Sequence, residues 1–277
     1  MNAIALVNCE FTDRALWSRI LAEADEASTQ DVFFKPVVVD TIAECRDLAG
    51  AIISRIAGLL SPPASSMSLH MALRSLLDQD SRILAAAAFD MAAVLDRDPA
   101  TTKALHVLLH AKGFLALQTH RFAHALWNAG QQDFALHLQS CASRSLQVDI
   151  HPAAQLGIGI FFDHATGIVI GETSIVEDNV SILQNVTLGG TGKEAGERHP
   201  KIRSGVLVGA GAAILGNIEI GANARIGAGS VVLRPVAPET TVAGVPARSL
   251  HQNRSMAPAR TMDQLFDDGQ PLYDVGL

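Results

Sequence analysis

Cysteine, tyrosine and tryptophan are scarce in these 277 residues, with three, one and two copies. The cysteines stand at 9, 45 and 141 with no CxxC pair. That excludes a disulfide framework and fits reduced thiols in the cytoplasm. Long apolar runs are missing as well. The most apolar stretch, 83–95, is interrupted by Asp90 and is too short to span a bilayer. No basic segment precedes the short apolar run at the N-terminus, as a secretory signal would require. Positive charge is in deficit, 21 Lys and Arg against 28 Asp and Glu, for a net charge of −7. A nucleic-acid binder would show a basic face. HExxH is absent, and the i,i+4 pairs His106/His110 and His120/His124 have no carboxylate to complete a ligand set, so no metal is expected. The stretch TLGGTGKE, 187–194, fails as a P-loop because its first glycine is misplaced and Glu194 stands where Ser or Thr is needed.

What is present is a period of six. Aliphatic residues recur at Ile202, Val208, Ile214, Ile220, Ile226 and Val232, and small or apolar residues follow four positions later at Val206, Ala212, Ile218, Ala224 and Ser230. This is neither the 3.6 of a helix nor the 2 of a strand, and an internal repeat decides the architecture. The period reads as a short extended segment and a tight corner, with the aliphatic and the small residue both facing inward. Three segments close a triangular coil, so residues 18 apart stack: Ile202 under Ile220, Val208 under Ile226, Ile214 under Val232. The same register holds at Ile170, Val176, Ile182 and Leu188, and an earlier set, Ile150, Leu156 and Phe162, is offset by two. From Leu188 to Ile202 the gap is 14, two more than two hexads, so the chain leaves the prism there.

Before the repeat the patterning is helical. Phe11 to Ala27 has helical spacing, whereas 31–40 reads extended. From Thr41 an apolar stripe (Ile42, Cys45, Leu48, Ala49, Ile52, Ile53, Ile56) predicts a helix that Ser61-Pro62-Pro63 ends. Further helices are expected over 68–77, 81–95, 104–117, 118–128 and 131–140, with a turn at Asp96-Arg97-Asp98-Pro99. The resulting organisation is an α-helical domain over 1–145, a hexad domain over 146–250, and a polar, flexible tail over 251–277.

Polar residues collect at Asp149-Ile150-His151-Pro152, Asp163-His164-Ala165-Thr166-Gly167 and Glu197-Arg198-His199-Pro200. A solenoid core needs none of them, so they mark either a site or polar residues that satisfy corners. Asp149 and His164, 15 apart, fall a little under one coil from each other and are candidates for a carboxylate that orients a general-base imidazole.

The run from DIHPAAQLGIGIFFDHATG through GGTGKEAGERHPKIRSG to ETTVAGVPAR, with DRDPA and KGFLALQTHRFAHALW ahead of it, closely resembles the serine O-acetyltransferases, a family of hexapeptide-repeat acyltransferases. The match is strong over about 94–250 and weaker before 90. The resemblance implies an α+β chain in which an N-terminal helical domain precedes a left-handed parallel β-helix. It also implies trimers through the β-helix, paired into hexamers. The activity it implies is acetyl transfer from acetyl-CoA, a co-substrate rather than a resident cofactor, to the hydroxyl of L-serine, with L-cysteine as feedback inhibitor.

His164 then matches the general base and Asp149 its partner. Asp98 and Asp163 match residues that hold serine through its ammonium, and Arg198 and His199 can face its carboxylate from a loop, 189–201, that reaches toward a neighbouring subunit. Glu172 is a further candidate. Gly190, Ala210 and Ala228 would give the pantetheine arm room, and Lys201, Arg225 and Arg248 would meet the CoA phosphates. Ordinary corner packing is the alternative for the two alanines. The family's C-terminal peptide, which ends in isoleucine, docks into O-acetylserine sulfhydrylase; here the chain ends Tyr273-Asp274-Val275-Gly276-Leu277. Rival acceptors are homoserine and a sugar. A γ-type carbonic anhydrase would need better spaced histidines than His151, His164 and His199.

Overall fold

The computed structural model describes residues 12–192, 195–252 and 257–264. Among the described residues eight helices come first: α1 (Asp13–Gln30), α2 (Lys35–Ile42), α3 (Leu48–Leu60), α4 (Pro63–Gln79), α5 (Arg82–Arg97), α6 (Ala104–His110), α7 (Lys112–Asn128) and α8 (Gln132–Leu146). Their starts follow side-chain chemistry. Thr12 caps α1 by accepting from the Ala15 amide, and Asp47 caps α3 by accepting from the Gly50 amide at 2.7 Å.

Three boundaries differ from the sequence reading. Within the stretch 31–40 read as extended, residues 35–40 are helical as part of α2, because Pro36 sits in the first turn, where its fixed φ suits a helix, and Val38 and Ile42 are buried. The stripe from Thr41 is two helices, since the Asp47 cap starts α3 afresh. The expected break after Leu117 lies at Ala111 instead, and α7 runs unbroken from Lys112.

After α8 the chain winds into a triangular prism of parallel strands. Face A stacks β1 (Val148–Ile150), β4 (Ile168–Ile170), β7 (Thr187–Gly189), β10 (Ala213–Leu215) and β13 (Val231–Val232). Face B stacks β2 (Gln155–Leu156), β5 (Ile175–Val176), β8 (Lys201–Ile202) and β11 (Glu219–Ile220). Face C stacks β3 (Phe161–Phe162), β6 (Ser181–Ile182), β9 (Leu207–Val208), β12 (Arg225–Ile226), β14 (Thr240–Ala243) and an antiparallel β15 (Arg248–Gln252). The register is the one the hexads predict: Ile202 pairs with Ile220, Val208 with Ile226, and Ile214 with Val232. The inward aliphatics from Ile170 to Val232 are buried, whereas Leu156 in the first coil is only partly so.

Two departures from six carry the polar segments. Ile150 stacks on Ile170 and Phe162 on Ile182, so the first coil is two residues longer than the next, in which Ile170 stacks on Leu188. The excess falls between Phe162 and Ile168, at the corner from face C to face A. The second departure corrects the sequence arithmetic. Leu188 on face A is followed directly by Ile202 on face B, so the gap of 14 is one hexad with an eight-residue excursion at a single corner.

The helices cover face C. Backbone of α7 approaches β3 so closely that a Cβ on Gly113 would lie 2.2 Å from the Phe162 carbonyl oxygen. Asp90, fully buried on α5, receives Arg121 from α7 at 2.8 and 3.0 Å, Gln118 at 3.0 Å and the Ile160 amide at 3.1 Å. One carboxylate thus joins two helices to the first coil.

The segment expected to be a flexible tail is structured over 257–264. A short helix, α9 (Pro258–Thr261), lies on face C with Pro258 and Ala259 buried. The chain end through Leu277 lies outside the described residues, as does Cys9.

Replacing Asp90 with alanine strands the buried Arg121 guanidinium. It is expected to destabilise the fold by about 3–5 kcal/mol, read from the denaturant midpoint; a loss under about 1 kcal/mol would show that solvent reaches the pair.

Candidate active site

The site residues fall into two clusters at opposite edges of face A. The first is the corner from face C to face A. There the two extra residues are absorbed by successive three-residue turns. The Ala165 amide donates to the Asp163 carbonyl at 2.5 Å and the Thr166 amide to the His164 carbonyl at 2.8 Å. Their central residues, His164 and Ala165, have φ of 54° and 62°. Positive φ is costly for residues other than glycine and gathers where function demands it. The strain is held from behind: Ala165 is fully buried, Lys112 bonds the Thr166 hydroxyl, and the Gly167 amide donates to the Gln147 carbonyl at 2.8 Å. Gly167 itself has φ of 78° and stacks against Asn185, which would be 2.1 Å from any Cβ placed there.

This corner throws the His164 side chain outward, 75% exposed, with Nε2 3.8 Å from Oδ1 of Asp163. Asp98, the residue that ends α5, stands close enough to raise the Asp163 carboxyl, whose pKa is lifted first by burial, is opposed by His164 and is lifted again by Asp98. The carboxylate of Asp98 accepts from the Ala100 amide at 2.8 Å and the Thr101 hydroxyl at 2.6 Å. Two carboxylates that repel each other beside an exposed imidazole make a socket for a cation.

Asp149 occupies the outward position of β1, between buried Val148 and Ile150, in register with Val169. Its Oδ1 accepts from Gln139 at 2.6 Å. Among the described residues it makes no hydrogen bond to His164, so the expected pair lies on one face without being closed.

The second cluster lies at the corner from face A to face B. Arg198 donates to Glu172 at 2.5 Å. The Thr173 hydroxyl receives the amides of Arg198 and His199 at 3.0 and 3.1 Å, folding the described part of the excursion onto its own corner. The Thr173 amide donates to Nδ1 of His199 at 3.1 Å. That bond fixes the tautomer: a neutral His199 carries its proton on Nε2. Burial, then Arg198, lowers the His199 pKa and favours the neutral ring. His151 sits in the same cluster, edge-on to Trp127 at 5.0 Å, its pKa lowered by burial. Lys201 bonds the Thr173 carbonyl and Glu197.

Sequence reasoning missed Thr173 and Gly171. A Cβ on Gly171 would stand 2.1 Å from Nε2 and Cδ2 of His199. The signal was available as Gly171 preceding Glu172, but only the fold shows that a histidine 28 positions on fills the space.

The remaining candidates divide. Ala210 and Ala228 stack on the same corner as His164, with the Gly229 amide donating to the Ala210 carbonyl at 2.8 Å. Arg248 is exposed beyond that corner. Gly190 belongs to the other cluster, against Arg198 and His199. Arg225 must be corrected: it is buried on face C under residues 257–264 and pairs with Asp263 at 3.3 Å, so it is no open phosphate ligand here. Among the described residues, no three His, Cys, Asp or Glu side chains converge as a metal site. A cavity of about 690 Å³ opens between the end of α7 and face B, beside Trp127, Gln155 and Glu177, and touches neither cluster.

Residues 16–119 match the serine acetyltransferase N-terminal family model and 199–234 the bacterial transferase hexapeptide model of six repeats. The serine acetyltransferase of Salmonella typhimurium is 48% identical over 262 residues, 94% of this chain and 96% of the relative. The chain belongs to the serine acetyltransferase family. Two solved members superpose closely. One, in complex with cysteine, has a TM-score of 0.89 and 47% identity, covering 92% of this chain and all of its own. The other, from Brucella abortus in complex with coenzyme A, has a TM-score of 0.85 and 49% identity, covering 89% of this chain and 98% of its own.

Two substitutions probe the clusters. Gly171 lies outside the left-handed region, so alanine there brings no backbone strain, but its methyl must displace the His199 ring. Gly171→Ala is expected to lower kcat/KM by about tenfold or more; full activity would refute the close fit. The Asp163 carboxyl is raised in the fold, so the unfolded chain loses that proton first and folding stability falls as pH rises through the window between the two values. Asp163→Asn should therefore raise the melting temperature of the ligand-free protein at neutral pH, and a fall would contradict the assigned direction.

Proposed function

We propose that the two clusters are halves of one active site, completed between copies of the chain, and that it transfers the acetyl group of acetyl-CoA to the hydroxyl of L-serine, giving O-acetyl-L-serine and CoA as a first step of cysteine biosynthesis. One observation carries this reading: the carboxylate and imidazole corner and the Arg198–His199 corner bound the prism face that, among the described residues and beyond its first strand, is both uncovered and apolar. Face C lies under helices, and face B carries Arg203 paired with Glu177 and Glu219. Face A shows Val169, Leu215, Val231 and Leu233 to solvent, with Val169 40% and Leu233 52% exposed. Three copies that turn this face to a common axis bury it and bring the His164 edge of each against the His199 edge of the next. Apolar Val32, Phe33 and Val37, exposed near α2, support a second contact that pairs trimers.

Within that site Asp98 and Asp163 receive the serine ammonium, and Arg198, steadied by Glu172, receives its carboxylate with Nε2–H of His199 beside it. The hydroxyl then meets His164. The imidazole takes the proton as the oxygen attacks the thioester carbonyl, and the tetrahedral intermediate collapses by expelling the CoA thiolate, which recovers that proton. Asp149, its Oδ1 held by Gln139, orients the imidazole through the other oxygen when substrate draws the exposed ring inward. No acyl-enzyme is needed; holding both substrates together supplies much of the rate. The pantetheine arm runs along the His164 corner past Ala210 and Ala228, with Gly190 and Lys201 contributed across the interface and Arg248 at the phosphate end.

L-cysteine shares the ammonium and carboxylate of serine and competes for the same sockets, in keeping with the relatives solved with cysteine and with coenzyme A. The C-terminal carboxylate at Leu277 remains the proposed handle for O-acetylserine sulfhydrylase. Cys45 and Cys141, free thiols among the described residues, agree with a cytoplasmic enzyme, and no described helix is long and apolar enough to cross a membrane.

His164→Ala is expected to cut kcat by about 10²–10⁴ while trimers persist in sedimentation, and Asp98→Asn to raise the KM for L-serine. CoA release that prefers homoserine or a sugar to L-serine would replace the acceptor assignment.

A further inference from the structure

The chain beyond the coils grips the base of the first cluster. The carbonyl of buried Ala259 accepts from the Ser181 hydroxyl at 2.7 Å, and the Ala259 amide reaches the Gly205 carbonyl at 3.3 Å. Ser181, fully buried on β6, also accepts from Nη1 of Arg97 at 3.1 Å. Arg97 closes α5 and is itself buried; its remaining bonds go to the Val180 carbonyl and Oδ1 of Asn179, both at 3.4 Å. Its neighbour Asp96 receives Nε and Nη2 of Arg260 at 2.8 and 3.0 Å, a two-pronged pair. Consecutive residues of α9, Ala259 and Arg260, therefore hold consecutive residues of the last turn of α5, Arg97 through Ser181 and Asp96 directly.

Both ends of this network reach the cation socket. The residue after Arg97 is Asp98. The residue after Ser181 is Ile182, whose carbonyl accepts the Asp163 amide at 2.9 Å. Asp98 hangs from the helix end that Arg260 clamps, and Asp163 from the strand that Ala259 clamps.

We infer that Arg260 and Ser181 are positioning residues, which set the spacing of Asp98 and Asp163 through the α9 clamp and so tune the site for the acceptor's ammonium. The inference rests on the assignment of those two carboxylates to serine made above. It makes residues 257–264 a working part of the site although no side chain among them touches substrate. Socket spacing matters to the amino acid and is indifferent to the thioester, which lies along the other side of the corner.

Steady-state kinetics on the full chain test it. Arg260→Ala, Asp96→Ala and Ser181→Ala are expected to raise the KM for L-serine roughly threefold to tenfold, leaving kcat and the KM for acetyl-CoA within about twofold. The Asp96–Arg260 pair is solvent-exposed, so Arg260→Ala should barely move the melting temperature. Arg260→Lys should restore part of the loss, and the Asp96→Ala, Arg260→Ala double variant should be no worse than either single one. An unchanged serine KM in Arg260→Ala and Ser181→Ala overturns the inference. So does a parallel rise in the acetyl-CoA KM, the mark of general loosening. Asp98→Asn, measured alongside, separates the failures. If it raises the serine KM while the clamp variants do not, the clamp falls and the socket stands; if it too is silent, both fall.

Discussion

A coil that closes on three faces can take extra residues only at its corners. Each face is a strand of two or three residues paired above and below, and a residue added within one would turn its aliphatic outward and break the stack on both sides. Additions at a corner leave the register of every face intact. The functional segments of this chain obey that constraint. Two residues inserted after Phe162 produce the strained turn that projects His164, and eight inserted after Leu188 produce the excursion that returns as Arg198 and His199. The core records neither, since Ile150, Ile170 and Leu188 stack without a gap.

The second constraint is cover. The helices close face C through Asp90 and the close approach of Gly113, and residues 257–264 complete that cover. Face B is dressed in ion pairs. Among the described residues face A, beyond its first strand, is left apolar and open, and both clusters lie on its edges. A single chain therefore presents two clusters facing outward, each with its own electrostatics: a pair of carboxylates on one side, and on the other a guanidinium and two histidines whose pKa values burial lowers. An amino acid carries the complementary pair of charges a few ångströms apart. In the proposed trimer, assembly and catalysis become one requirement.

Legibility varied with the range of the interactions. The hexads announced the prism because an aliphatic every sixth residue is a local consequence of a repeating core, and Ile202, Ile220 and their counterparts paired as counted. The polar corners were visible as interruptions of that pattern. Helix boundaries were less visible. Residues 35–40 look extended by their run of valines, and only the burial of Val38 and Ile42 against other helices overrides that preference. Arg225 looked like a phosphate ligand because its charge is written in the sequence, whereas the segment that buries it returns from 38 residues downstream to place Asp263 beside it. Thr173 and Gly171 were passed over because a hydroxyl and a missing side chain gain meaning only from the ring of His199 packed on them.

The amino-acid sequence by itself determined the triangular coil, the positions where it is interrupted and the kind of chemistry gathered there, since each follows from spacing and residue type along one stretch of chain. Tertiary structure alone decided which corner each interruption occupies, that the catalytic candidates separate into two edges of one face, and that residues 257–264 bind the last turn of α5 and the strand β6. Those outcomes depend on which distant segments cover which face, and no local pattern encodes that choice.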